Sequence, residues 1–187
     1  MKTRKKFFFS KKDTMSGDGM LTTVWGPSFW HVLHTMSFNY PVEPTPEQKT
    51  QYRSFMLNLV NVLPCKYCRE NLKKNYKKLP VTVSVMKNRD TFSRYVYNLH
   101  ELINDMLKKE GPRLTYCDVR ERYEHFRARC TMDDPKVKAA EKGCTEPLYG
   151  KKAKGVILIL PQDHKCPTFQ VNKECLKHHK TSKKCLV

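Results

Sequence analysis

The chain has 187 residues, enough for one domain of ordinary size with tails. Hydrophobic residues make up 39% of it, yet no apolar run approaches the ~20 residues that a membrane helix needs. The apolar run at 156–160 has five residues, and Phe7-Phe8-Phe9 is too short for the apolar region of a secretory signal. We therefore expect a protein that is neither secreted nor held by a membrane.

The net charge of +18 raises the question of nucleic-acid binding, because clustered Lys and Arg neutralise phosphates. The excess is spread along the chain, with +4 in residues 1–20, +8 in 21–130 and +6 in 131–187. No nucleic-acid-binding motif accompanies it. We expect a solvated basic surface and no specific nucleic-acid partner.

The first half of the chain begins with a predicted disordered basic arm, residues 1–20. Pro27 suits a first helical turn and predicts a helix that runs to about Phe38. The segment Thr45-Pro46-Glu47-Gln48 has the form of a capping box and predicts the start of a second helix, which Pro64 ends.

Three more helices follow in the predicted order. One begins at Cys65 and runs through Lys78, the next is capped by Asp90 and ends at Gly111-Pro112, and the last spans about 116–129. Only the stretch 81–85 alternates like a strand. The predicted fold is all-α, a four-helix bundle plus a short fifth helix in residues 21–130. Residues 131–187 form a cysteine-bearing C-terminal extension of unknown fold.

Cys65-Lys66-Tyr67-Cys68 is the motif with the clearest chemistry. Two cysteines at i and i+3 on a helix start can form a disulfide, and the helix N-terminus stabilises a thiolate there. The alternative is half of a zinc site, with Cys117 or Cys130 as further ligands. A thioredoxin-like site is disfavoured because no βαβ pattern surrounds the motif.

Two predicted helices each carry a histidine one turn away from another side chain that could contact a ligand. Trp30 and His34 share one helix face, and His100 and Asn104 share another. Two such faces directed at one interior would suit a large planar heterocycle, which bundle interiors commonly bind.

Together these residues resemble the Erv/ALR sulfhydryl oxidases, a family of flavoproteins. The resemblance covers about residues 24–126. The matching stretches are Trp25 to His34, Tyr40-Pro41 with Pro44-Thr45, Leu63 to Cys68, and Leu99-His100 with Asn104 and Leu107-Lys108-Lys109.

This resemblance implies a helical bundle that holds FAD. It implies that Cys68 lies against the isoalloxazine ring and that Cys65 exchanges with protein dithiol substrates. The electrons would pass to molecular oxygen, yielding hydrogen peroxide. The cofactor-binding positions it implies are Trp25, Trp30, His34, Tyr40, Cys68, His100, Asn104, Lys109 and Tyr123.

The resemblance also implies a homodimer. The versions of this enzyme in large cytoplasmic DNA viruses are the most similar in pattern, which implies a location in the host cytoplasm and the virion. The alternative function is a zinc-stabilised basic binding module without catalytic activity.

The sequence departs from the family pattern at a structural disulfide between the fourth helix and the start of the fifth. Tyr97 stands at the first position of that bridge and Cys117 at the second. Cys130 cannot easily replace the missing partner, because thirteen helical residues at about 1.5 Å each would separate it from Cys117 by ~20 Å, beyond disulfide reach. We therefore expect Cys117 to be a free buried thiol. Glu101 replaces an Asn that usually follows the motif histidine.

The extension carries four cysteines, whose role stays open between a shuttle disulfide, a structural disulfide and a zinc site. The cysteines are Cys144, Cys166, Cys175 and Cys185, and His178 completes the candidate zinc set with the last three.

Overall fold

A computed structural model describes residues 8–129, 144–167 and 169–177. In this part of the chain there are α-helices and two short 3₁₀ helices but no β-strand, which confirms the all-α prediction. No helix within these residues is long and apolar enough to cross a membrane. The α-helices are α1 Lys11–Thr14, α2 Thr22–Asn39, α3 Pro46–Val62, α4 Lys66–Lys78, α5 Arg89–Met106 and α6 Tyr116–Glu124.

The capping box that begins α3 is formed as predicted. The Thr45 hydroxyl accepts from the Gln48 N–H at 3.2 Å, and the Gln48 side chain accepts from the Thr45 N–H at 2.9 Å. Pro46 occupies the first turn, where a missing N–H costs nothing.

The predicted ends of α5 were wrong at both termini. Asn88, not Asp90, is the N-cap, because its side chain accepts from the Thr91 N–H while Asp90 lies in the first turn. The helix ends before Gly111 in a Schellman motif, in which the Lys109 N–H bonds to the Asn104 carbonyl. Lys108 takes the left-handed position that glycine usually fills, with φ of 50°.

The start of α2 at Thr22 also differs from the prediction of a start at Pro27. Pro27 lies inside α2, where its missing N–H leaves one intrahelical hydrogen bond unmade. The turn that precedes it is fixed by the Trp25 indole, which donates to the Met20 carbonyl at 3.1 Å.

The core lies between two helix pairs, since α2 packs against α5 and α3 packs against α4. The stretch 81–85, which alternates like a strand, instead leads into a 3₁₀ helix at Ser84–Met86. Met86 is fully buried there. The largest fully buried side chains are Tyr40, Phe92, Met56, Met86, Leu99 and Val96.

Both predicted tails contact the helical domain where the structure describes them. The arm, predicted to be disordered, contains α1, and its Met20 N–H donates to the Pro64 carbonyl at 3.0 Å. In the extension, the Leu148 N–H donates to the Arg127 carbonyl at 2.7 Å. The predicted fifth helix is shorter than expected, because α6 ends at Glu124 and the chain then makes an isolated β-bridge between Ala128 and Pro147.

Candidate redox and cofactor site

Cys65 and Cys68 are joined in a disulfide at the start of α4, with their Cα atoms 5.2 Å apart. Cys65 is the N-cap, and its Sγ accepts a hydrogen bond from the Cys68 N–H at 3.2 Å. The helix start therefore directs a backbone donor and the positive end of the helix dipole at the Cys65 sulfur. Either effect stabilises a thiolate, the form that carries out disulfide exchange.

The two sulfurs differ in what they contact. Both cysteines are half-buried, but Cys68 packs against the hydrophobic core, whereas the Cys65 Sγ accepts the Cys68 N–H at the helix start. The Arg69 guanidinium donates to the Leu63 carbonyl and so fixes the chain on the N-terminal side of the pair.

The N-terminal arm reaches this disulfide, which the sequence did not indicate. Gly19 lies so close to Pro64 that a Cβ on it would be 3.0 Å from the Pro64 carbonyl oxygen. The Thr22 hydroxyl, at the start of α2, lies 3.7 Å from the Cys68 Sγ. The one available signal was the glycine, a residue typical of close backbone approach.

A cluster of rings lies between α2 and α5. The Trp30 and His100 rings stack with centroids 3.9 Å apart and an interplanar angle of 6°. His34 Nε2 lies 3.0 Å from His100 Nδ1, so one nitrogen donates and the other accepts. The two predicted helix faces are therefore directed at one place.

The histidine pair is uncharged at neutral pH. Burial lowers the pKa of His34 to about 3, with smaller contributions from His100 and His31. Burial, together with the nearby Lys109 charge, lowers the pKa of His100 to about 4. Two imidazoles that share one hydrogen bond cannot both carry protons on the facing nitrogens, which agrees with this direction.

Two buried polar atoms of the same cluster have no hydrogen-bond partner among the described residues. They are His34 Nδ1 and Asn104 Oδ1. Asn104 does use its amide nitrogen, which donates to the Glu101 carboxylate at 2.9 Å. A buried polar atom without a partner costs about 1–3 kcal/mol, so two in one cluster point to a ligand that supplies the missing partners.

Of the other predicted cofactor contacts, Tyr123 joins the cluster directly. Its ring lies 5.3 Å from the His34 ring and stacks on Phe38, and burial raises its pKa to about 12. Trp25 packs edge-on against Phe29 near the arm. Lys109 is exposed at the end of α5, close enough for its charge to act on His100.

Tyr40, another predicted cofactor contact, is a core residue whose described contacts are with protein groups. The residue is 0% exposed, its hydroxyl donates to the Met86 carbonyl at 3.0 Å, and its ring packs against Tyr52 and Phe92. It is fully satisfied by protein groups.

Sequence reasoning missed the contribution of the extension to this region. Phe169 packs on His31, Tyr123 and Phe126, with ring centroids 5.4–6.5 Å away. Between the extension and α6 lies a cavity of about 330 Å³ that is separate from the histidine cluster. No pattern in the sequence pairs Phe169 with these rings, because the contact is set by how the extension folds back.

The other cysteines correct one prediction. Cys117 is disulfide-bonded, as is Cys144, so the prediction of a free Cys117 thiol was wrong. That prediction assumed a continuous helix to residue 129, whereas α6 ends at Glu124 and the long helical spacing to Cys130 does not exist. Cys130 itself lies outside the described residues.

Tyr97, which stands in place of the missing bridge cysteine, still connects α5 to the segment before α6. Its hydroxyl donates to the Leu114 carbonyl at 3.0 Å. Cys166 and Cys175 are free thiols, while His178 and Cys185 of the candidate zinc set lie outside the described residues. The role of the tail cysteines stays open.

Comparison with known proteins gives one consistent result. Residues 27–125 match the Erv1/Alr family. The chain is 32% identical over 100 residues to a probable FAD-linked sulfhydryl oxidase of Acanthamoeba polyphaga mimivirus, covering 54% of this chain and 68% of that protein. It is 31% identical over 90 residues to a putative FAD-linked sulfhydryl oxidase of Invertebrate iridescent virus 6, covering 46% and 81%.

The fold gives the same answer. The crystal structure of the FAD-binding domain of Erv1 from Saccharomyces cerevisiae superimposes with a TM-score of 0.50 at 25% identity. The match covers 56% of this chain and 95% of that domain. The predicted resemblance is confirmed.

Proposed function

The chain belongs to the Erv1/Alr family, and on that premise we propose that it is an FAD-linked sulfhydryl oxidase. It oxidises dithiols to disulfides and reduces molecular oxygen to hydrogen peroxide. The observation that carries the proposal is the Cys65–Cys68 disulfide on a helix start, in the same small bundle as the Trp30–His34–His100 cluster, of which His34 is buried.

The residues fit FAD by their chemistry. His34 Nδ1 and Asn104 Oδ1 have no hydrogen-bond partner among the described residues. Depending on its tautomer, His34 Nδ1 can donate to or accept from a nucleotide, and Asn104 Oδ1 can accept from an amino or hydroxyl group. Trp30 and Tyr123 offer aromatic faces to a planar ring system. The exposed ammonium group of Lys109 suits a phosphate or ribose contact. When bound, FAD supplies the two-electron acceptor that returns the cysteine pair to its disulfide and reduces oxygen.

The cysteines divide the thiol chemistry between them. A substrate thiolate attacks the Cys65 Sγ, which forms a mixed disulfide and releases the Cys68 sulfur as a thiolate. A second substrate thiolate then attacks the substrate sulfur of the mixed disulfide, and Cys65 leaves. The substrate gains a disulfide, and both cysteines of the enzyme are left reduced.

The surroundings of the two sulfurs support this order. Cys65 receives the N–H of Cys68 at the helix N-terminus, which makes it a good leaving group in the second attack. Cys68 packs against the core and is therefore the sulfur suited to face a buried cofactor. The pair His34–His100 stays neutral, so the ring cluster adds no competing positive charge.

The alternative function, a zinc-stabilised binding module, is not favoured. Cys65 and Cys68 are bonded to each other, and zinc binds cysteine as the thiolate, which a disulfide does not contain.

A homodimer and a location in the host cytoplasm and virion are the further parts of this proposal. The location is supported by the two viral relatives, which are named as FAD-linked sulfhydryl oxidases, and the homodimer is what membership of the family implies. Sedimentation of the purified holoprotein tests the dimer, and fractionation of infected cells and purified particles tests the location.

Purification tests the enzymatic proposal. The protein should be yellow, should contain FAD at about one per chain, and should consume oxygen when given dithiothreitol. A colourless protein that carries stoichiometric zinc and lacks oxidase activity would contradict it.

A further inference from the structure

Thr22 lies beside the Cys68 sulfur although 46 residues separate them in the chain. The Thr22 Oγ1 is 3.7 Å from the Cys68 Sγ, within hydrogen-bond distance for sulfur. Thr22 is the first residue of α2, and its N-cap, Leu21, makes no side-chain capping bond. The side-chain hydroxyl and the positive end of α2 thus both lie close to Cys68.

The position of Thr22 is fixed by contacts of the arm. The Met20 N–H donates to the Pro64 carbonyl at 3.0 Å, and the Trp25 indole donates to the Met20 carbonyl at 3.1 Å. Gly19 allows the backbone to approach within a distance that a side chain would obstruct. The arm is therefore attached to the residue that precedes Cys65, and the start of α2 follows it.

We propose that Thr22 is a positioning residue that stabilises the Cys68 thiolate by donating its hydroxyl hydrogen to it. This rests on the proposed oxidase function, in which Cys68 becomes a thiolate each time the disulfide opens. The backbone donor at the start of α4, the Cys68 N–H, is directed at the Cys65 sulfur. Thr22 supplies the corresponding donor to the other sulfur, from a different helix.

Removal of the Thr22 hydroxyl should change the pKa of one thiol, that of Cys68. A hydrogen bond from a hydroxyl to an ionised sulfur favours the charged form and lowers the pKa of the thiol. We expect removal of the hydroxyl to raise the pKa of Cys68 by about one unit, or roughly tenfold less thiolate at a pH below the pKa. A variant that keeps the hydroxyl should leave the pKa of Cys68 unchanged.

The test uses three variants in a Cys65→Ala background, where the Cys68 thiol titrates alone. Thr22→Val keeps the shape and removes the hydroxyl, Thr22→Ser keeps the hydroxyl, and Thr23→Val makes the same change one residue along the same exposed turn. The rate of alkylation by iodoacetamide is followed against pH by mass spectrometry of the peptide that carries Cys68. Selection of that peptide separates its signal from those of the free thiols Cys166 and Cys175.

Thr22→Val should shift the alkylation profile to higher pH, while Thr22→Ser and Thr23→Val should match the parent. An unshifted Thr22→Val profile would overturn the proposal, and so would an equal shift in Thr22→Ser, which would indicate a packing effect. Alkylation requires neither bound FAD nor turnover. If the parent holoprotein shows no oxidase activity while Thr22→Val shows the expected shift, only the proposed function is refuted.

Discussion

The pair of His34, which is buried, and His100, which is half-buried, makes the stability of the apoprotein depend on pH. His34 is 4% exposed and shares a 3.0 Å hydrogen bond with His100. Burial holds their pKa values at about 3 and about 4. In the unfolded chain both return to about 6.5, so between these values the unfolded state binds more protons than the folded state.

The sign follows from that difference. The contribution of the neutral pair to the free energy of unfolding is fully present above pH 6.5. It is lost as the pH falls toward the pKa values of the two histidines in the folded state. Between pH 7 and pH 5 the unfolded state gains most of one proton per histidine. Each buried imidazole then lowers the free energy of unfolding by about 2 kcal/mol, and the pair by about 4 kcal/mol.

Urea unfolding of the apoprotein at pH 7 and pH 5 measures this loss. Replacement of one partner, His100→Asn, should halve the histidine contribution to the difference between the two pH values. His164→Gln, which removes an imidazole from the exposed extension, is the matched control. If the free energy of unfolding of His100→Asn changes between pH 7 and pH 5 by as much as that of the parent chain, the assignment of the neutral pair is refuted.

Three further outcomes follow from the structure. Cys68→Ser should stop oxygen consumption with dithiothreitol yet keep FAD, as the absorbance spectrum of the purified variant will report. Gly19→Ala, whose Cβ would meet the Pro64 carbonyl oxygen at 3.0 Å, should unfold at lower urea than Gly17→Ala, where nothing lies within 4 Å; equal midpoints would contradict the docking of the arm. Phe169→Ala should lower the free energy of unfolding by about 1–2 kcal/mol because it removes three ring contacts, while Phe8→Ala, at a fully exposed site, should not.

Helix signals in the sequence predicted most of the fold, because they are local. The Thr45–Gln48 capping box and the Cys65 helix start are short-range hydrogen-bond patterns and were placed correctly. The end of α5 was misplaced because Lys108 takes a left-handed conformation that a glycine usually marks. A glycine or proline at the expected point is a strong signal for the end of a helix, and a helix that ends at another residue leaves no such signal in the sequence.

The site was predicted in part for the same reason. Spacing of one turn placed Trp30 with His34, and family order placed His100 with them. The contacts of Thr22 and Phe169 depend on how the arm and the extension fold back onto the bundle, and no periodicity records that. The cofactor contact predicted at Tyr40 stays a prediction, since the described contacts of that residue are with Met86, Tyr52 and Phe92 in the core.

The electron balance of the purified holoprotein tests the central claim most directly. With a dithiol in excess, we expect one oxygen consumed and one hydrogen peroxide formed for each disulfide made, and no turnover in flavin-loaded Cys65→Ser or Cys68→Ser. Disulfide formation that continues in both variants, or that proceeds without oxygen consumption, would contradict the account.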